Sequence, residues 1–520
     1  MNPIALQAAL AAWQRAKSLH QAGMLRDAEP LYRKALRVLA TSPELLIDYA
    51  RLAEELGDWR AAENIWRAAA QAAPERLFGD HIGLALLQQA RYTDALPILE
   101  HYQLRAPNDV LSMINLAYCH TQLGQDEDAI RTLRKAIRIR PDLPKSWESL
   151  ITLLINGGDR EGADAALARA LTAFPDNAEL RYMQMEHRLK SGDFAAGFDS
   201  FGARWNTRFV PGPVILPKDR LWDGQPFEGK LLVRAEQGIG DELLYSSLLA
   251  DLQQRHADSV IDCDARLLPL FSRSLPGLAF VPRDTPEDDP RRAGYARQCL
   301  MGDLPRLFRR SIGDFPIRAG WLRPDPARCE ALAQDYAQRF GRKLRVGISW
   351  RSANPSTGEA KSLALDRLLP LLSVPGVQFF SLQYGDTAAE IDAFSARSGI
   401  DIYRDPGIDP TRDLEGLAAQ IAALDLVIST SNSTVHLAGA LGGPVWVLLH
   451  RDKGLPWYWG YEGATVPWYP GTRLLRCRQR GEWEPVIAEA AARLPKDPQP
   501  RVFSMFDRRF HEQQEQRKFP

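Results

Sequence analysis

A period of 34 residues runs through the first two hundred positions, and nothing else in the chain restricts its fold as strongly. Gly23, Gly57, Ala90, Gly124, Gly158 and Gly192 follow one another at steps of 34, 33, 34, 34 and 34. Five residues after each stands a small residue: Ala28, Ala62, Ala95, Ala129, Ala163 and Gly197. Four further on stands a bulky one: Tyr32, Trp66, Leu99, Leu133, Leu167 and Phe201. Three beyond that comes Ala35, Ala69, Ala136 or Ala170, with Tyr102 as an exception. Pro74, Pro107, Pro141 and Pro175 close four of the units. Small residues recur where two helices cross closely, and the bulky residue fills the groove beside the crossing. Each unit alone exposes an apolar face, so only stacking buries it.

This is the tetratricopeptide pattern of two antiparallel helices per unit. It predicts an α-solenoid over residues 1–206. Such an array performs no chemistry. Its concave surface is expected to hold a protein partner, with a spacer or dimer interface as the alternative. The sixth unit departs from the rest, with Gly197 and Arg204 where alanine is usual, and is expected to cap the array against the next domain.

Lys+Arg and Asp+Glu both number 65, so the net charge is zero, which argues against a general nucleic-acid binder. Apolar content of 45% and charged content of 25% are ordinary for globular chains. Cys119, Cys263, Cys299, Cys329 and Cys477 are scattered and form no C-x-x-C, which predicts a reducing compartment without a disulfide frame or zinc knuckle. The N-terminal stretch lacks the charge and cleavage pattern of a signal peptide, and no apolar run is long enough to span a membrane. The expectation is a cytoplasmic protein.

Near residue 206 the phase stops and prolines cluster, which marks a boundary. Short apolar runs then alternate with amphipathic segments. The strand candidates are 231–235, 259–265 and 278–282, then 344–350, 377–383, 400–405, 424–430 and 444–450; 283–330 reads as polar and irregular. Alternation of strand and helix implies parallel sheets. Two sets in tandem predict two Rossmann-like lobes, 207–330 and 331–500, with a tail at 501–520. Ligands of such sheets bind outside the carboxyl ends of the strands.

The polar motifs fall at those ends. "EQGIGDE" follows the first strand of lobe one and carries Glu236, Gln237, Gly238, Gly240 and Asp241. Trp350, Arg351 and Ser352 follow the first strand of lobe two, with Lys361 on the same loop; Gln383 and Tyr384 follow the next strand. Ser431, Asn432, Ser433 and Thr434 open a helix after "LDLVIS", a ready anion site if more than an N-cap.

Together "LWDGQPFEGKLLVRAEQGIGDELLYSSLLADL", "RVGISWRS", "KSLALDRLLPLL", "FFSLQYGD" and "LAAQIAALDLVISTSNSTVHLAGALGGPVWVLL" resemble the bacterial tetratricopeptide-repeat glycosyltransferases. Their catalytic half is of the GT-B fold, similar to the lipopolysaccharide heptosyltransferases, and their layout is similar to the O-GlcNAc transferases. The resemblance implies transfer from a nucleotide-sugar to a protein hydroxyl. Some relatives modify flagellin, which makes flagellin a candidate acceptor. It also implies Asp241 as general base and Lys361 as the cation steadying the leaving phosphate. Donor contacts would come from Trp350, Arg351, Ser352, Gln383, Tyr384 and residues 431–434, with His436 beside them. Glu236, Gln237, Gly238, Gly240 and Trp457 would line the acceptor side. Ser431 departs from the family, where aspartate stands in many relatives, and leaves the donor open.

No cofactor and no metal are expected. Asp262 and Asp264 in "DCD" mimic the D-x-D of metal-dependent transferases but continue a strand of lobe one. Trp457 and Trp468 lie in aromatic-rich loops suited either to stacking on a ligand or to clamping the second lobe. Two alternatives stay open: a non-catalytic scaffold with a degenerate second half, and transfer to a saccharide or lipid.

Overall fold

The computed structural model describes residues 3–207, 216, 218–354, 358–451, 455–478 and 481–494. The expected tail at 501–520 lies outside the described residues. The chain divides into two compact units, Met1–Leu180 and Arg181–Pro520.

The first unit is a stack of helix pairs: Pro3–Gln21 with Leu25–Leu36, Pro43–Glu55 with Trp59–Ala72, Gly79–Gln88 with Tyr92–Arg105, Val110–Gln122 with Asp126–Ile139, and Pro144–Gly157 with Arg160–Ala173. The repeated small residues Ala28, Ala62, Ala95, Ala129 and Ala163 have no solvent exposure, and the bulky residues that follow them are buried as well. The position that opens each turn is glycine for a conformational reason. Gly23, Gly57, Gly124 and Gly158 have φ between +74° and +83°, left-handed backbone that a Cβ disfavours. Ala90 holds the same position at φ +56°.

The 34-residue phase continues into the second unit, on helices Ala178–Ser191 and Phe194–Asp199. From this pair Met185, Leu189, Phe194 and Phe198 join the core of the α/β region. Arg204, where the repeat has alanine, is 1% exposed and places its guanidinium 2.9 Å from the Glu236 carboxylate and 3.1 Å from Asp303.

Two wholly parallel sheets make up the rest. The first contains β1 (Leu231–Arg234), β2 (Ser259–Cys263), β3 (Ala279–Pro282) and β4 (Arg297–Leu300) in the order β3-β2-β1-β4. The second contains β5 (Leu344–Ser349), β6 (Val377–Ser381), β7 (Ile402–Tyr403), β8 (Leu426–Thr430), β9 (Val445–Leu449) and β10 (Thr472–Arg476) in the order β10-β9-β8-β5-β6-β7. Sequence reasoning missed β4 and β10. β4 lies in the stretch read as irregular, and both are edge strands with arginine at one end, so neither has the apolar run of a central strand.

Strand order reverses at two places. β1 lies between β2 and β4, and β5 lies between β6 and β8. At a reversal the connections leave in opposite directions and open a crevice at the carboxyl edge, where ligands of such sheets bind. The segments outside these edges are residues 235–242 after β1, 350–354 and 358–361 after β5, and 431–434 after β8.

Candidate functional site

After β1 the chain turns sharply into the short helix Ile239–Tyr245. The turn places Gln237, not either glycine, at φ +60°. A non-glycine residue held there stores backbone strain, a feature concentrated at functional sites. Gly238 is extended, at φ −104° and ψ 170°, and its N–H donates to Asp241 Oδ2 at 3.2 Å. Gly240 packs closely: a Cβ there would stand 3.1 Å from the His436 ring, which would have to give by a few tenths of an ångström. The expected close approach to a ligand is therefore, at Gly240, a close approach to the helix Ser433–Ala440 of the second lobe.

Asp241 and Lys361 are brought together. Burial raises the Asp241 carboxyl to about 6, against the Gly238 hydrogen bond and the positive charges of Lys361 and Arg204. Burial lowers the Lys361 ammonium, opposed by Asp241 and Glu186. Lys361 is 8% exposed, and its Nζ has no hydrogen bond or ion pair among the described residues. A buried cation without a direct partner among the described residues favours an added anion.

Two residues missed in the sequence complete this surround. Tyr182 and Glu186, one turn apart on helix Ala178–Ser191, are linked by a 3.2 Å hydrogen bond. Glu186 interacts electrostatically with Lys361, and Tyr182 with Asp241. They carry no motif; their place depends on how the last repeat helix meets the sheets.

Other expected contact residues are engaged within the fold. Glu236 is 2% exposed and paired to Arg204, so it anchors the turn instead of lining a cleft. Burial pushes its carboxyl to about 7 against the pull of Arg204. Gln383 gathers the β5 terminus: its Oε1 accepts from Ser349 Oγ at 3.0 Å and from the Trp350 and Arg351 N–H groups at 2.8 Å each. Trp350 is a core residue whose indole donates to Glu390 at 3.2 Å, and Arg351 pairs with the same glutamate at 2.9 Å. The Ser352 N–H donates to Ser362 Oγ, and the Tyr384 hydroxyl accepts from the Ala353 N–H at 2.9 Å.

In the run 431–434, Asn432 is the N-cap. Its Oδ1 accepts the Thr434 N–H at 3.0 Å, and its Nδ2 donates to Ser349 Oγ at 2.7 Å and to the Arg351 carbonyl at 3.0 Å. Asn432 thus ties β8 to β5 at the strand reversal. Ser431 accepts the Trp459 indole N–H at 2.8 Å, and Thr434 is buried. Of the four side chains only Ser433 is partly exposed, so an anion at this end would meet Ser433 and backbone N–H groups. His436 bonds the Tyr469 hydroxyl at 2.7 Å and the Tyr458 hydroxyl at 3.2 Å. Burial and the charge of Lys361 lower its imidazole to about 3, so it is neutral at physiological pH.

Trp457, expected at the cleft, is 8% exposed and packs edge-on against Phe198, Phe201 and Trp468. Both tryptophans are clamps: Phe198 and Phe201 of the sixth repeat cover Trp457, and Phe198 and Phe315 cover Trp468. Asp262 pairs with Arg292 at 3.0 Å and Asp264 with Arg266 at 2.8 Å, so the D-x-D carboxylates are held by arginines. All five cysteines are buried and outside any disulfide, and no helix among the described residues is long and apolar enough to cross a membrane.

The tetratricopeptide repeat family profile matches residues 86–154. Protein FlbA of Caulobacter vibrioides is 29% identical over 532 residues, covering 91% of this chain and 88% of FlbA. Among solved structures, MamA 41-end from Desulfovibrio magneticus RS-1 aligns with a TM-score of 0.31 at 20% identity, over 33% of this chain and 97% of its own. Pseudomonas aeruginosa PilF aligns at 0.33 and 18% identity, over 40% of this chain and 93% of its own. The chain thus carries tetratricopeptide repeats in an N-terminal helical region, followed by an α/β region of parallel sheets, and is similar over most of its length to FlbA.

Proposed function

We propose that the second unit is a GT-B glycosyltransferase that moves a sugar from a nucleotide-sugar to a protein hydroxyl, and that the repeats recruit the acceptor. The observation that carries this reading is Lys361: a buried ammonium without a direct partner among the described residues, set beside the Asp241 carboxylate at the edge of a strand reversal. The acceptor oxygen attacks the anomeric carbon from one side as the bond to the donor phosphate breaks on the other. Asp241 takes the hydroxyl proton, and a carboxyl near 6 is basic enough to do so and ionised at neutral pH. Lys361, the Ser433 hydroxyl and the first N–H groups of helix Ser433–Ala440 receive the diphosphate. The result is inversion at the sugar, without a metal. Flagellin is the acceptor to try first.

Position 431 favours the second reading, a non-catalytic scaffold. The Ser431 hydroxyl is engaged by Trp459, whereas many relatives carry a carboxylate there. The two separate on transfer to purified flagellin from a panel of nucleotide-sugars. The first expects transfer by the native chain and a loss of about 10²–10⁴-fold in Asp241→Asn. Equal transfer by that variant removes Asp241 as the base. Absence of transfer together with absence of nucleotide binding selects the scaffold.

A further inference from the structure

Helix Asp126–Ile139 and the carboxyl-terminal end of helix Pro144–Gly157 enclose a groove of about 590 Å³ in the first unit. It lies between the second helix of one repeat and the first helix of the next. Ile130, Leu153 and Leu154 give it an apolar floor. Arg131, Arg134 and Arg138, spaced by three and four, share one helix face along its wall. Arg131 is paired with Asp128. Arg134 and Arg138 are exposed and have no ion-pair partner among the described residues. At the other end stand Asp126, Glu127 and Asp159, so the groove is cationic at one end and anionic at the other.

We propose that this groove binds an extended peptide segment with acidic residues over Arg134 and Arg138, an apolar side chain on Leu153 and Leu154, and a basic end against Asp126 and Glu127. Charge separation selects this occupant. A nucleic-acid strand carries negative charge along its whole length and would meet three carboxylates at one end. The site belongs to the repeats and stands apart from the chemistry of the second unit, so it survives if the transferase reading fails.

The test titrates the full chain into a fluorescein-labelled octapeptide, EEELLGKK, at low salt and follows anisotropy. The expected result is saturable binding, weaker by about 10-fold for QQQLLGKK and by about 10-fold for the Arg134→Glu, Arg138→Glu double variant. That variant, whose groove is acidic throughout, should instead bind KKKLLGKK more tightly than the native chain does. This exchange of preference cannot arise from loss of fold. No saturable binding of EEELLGKK, equal binding by the double variant, or tighter binding of an oligothymidylate of the same length would each overturn the proposal.

Discussion

Replacing Asp241 by asparagine separates the demands of catalysis from those of stability. In the folded protein this carboxyl is raised from its ordinary 3.8 to about 6, chiefly by burial. The folded state therefore holds the proton more tightly than the unfolded chain. Stability is greatest, for this group, below about pH 4 and declines as pH rises toward 6. Above that the ionised carboxylate imposes a constant cost. A shift of about two units at about 1.4 kcal/mol each gives about 3 kcal/mol. Asp241 is only partly buried, so solvent screening brings this to about 1–2 kcal/mol. Asparagine retains an oxygen for the Gly238 N–H and carries no charge. Asp241→Asn should therefore lose transfer yet melt about 2–4 °C above the native chain at pH 7.5. The gap should close as pH falls from 6 to 4, which a thermal melt at several pH values reads directly. A variant that melts at or below the native chain at pH 7.5 would refute the reasoning, because the carboxylate would then be stabilised where it stands.

If the proposed chemistry holds, kcat/KM should rise with pH through about 6 as Asp241 ionises and fall at alkaline pH below the ordinary lysine range as Lys361 loses its proton; a profile flat from 5 to 8 would contradict it. Arg204→Ala leaves Glu236 buried without its main partner and should cost about 3–5 kcal/mol, seen in urea unfolding followed by tryptophan fluorescence. Ala90→Gly relieves the left-handed residue in the third repeat and should stabilise the chain by about 0.5–1 kcal/mol, measured the same way. The imidazole of His436 should not titrate between pH 5 and 8 in a heteronuclear NMR experiment, since burial and Lys361 hold it near 3.

The solenoid was legible because its cause is local and repeated. A left-handed residue must end each first helix, and glycine meets that need almost every time. The central strands were legible because parallel strands buried on both faces read as apolar runs. The carboxyl-edge motifs were legible for the same reason, since each begins where an apolar run stops. What sequence reasoning could not reach were the roles set by partners distant in the chain. The family resemblance sets Glu236 on the acceptor side, but Arg204 lies on the last repeat and draws it into the interior. Trp457 was expected to face a ligand, but Phe198 and Phe201 cover it. Gln383 and Asn432 are polar residues at strand ends in both readings, yet their bonds tie β5, β6 and β8 together. Tyr182 and Glu186 belong to a repeat helix, and no motif marks them as neighbours of Asp241 and Lys361.

The most direct test of a nucleotide-sugar site is a thermal-shift panel of UDP, GDP, ADP, TDP and CMP on the native chain and on Lys361→Met, each with and without EDTA. The account predicts that one nucleotide stabilises the native chain, that EDTA leaves the shift unchanged, and that Lys361→Met abolishes it. No shift with any nucleotide, or a shift that Lys361→Met retains in full, would contradict it.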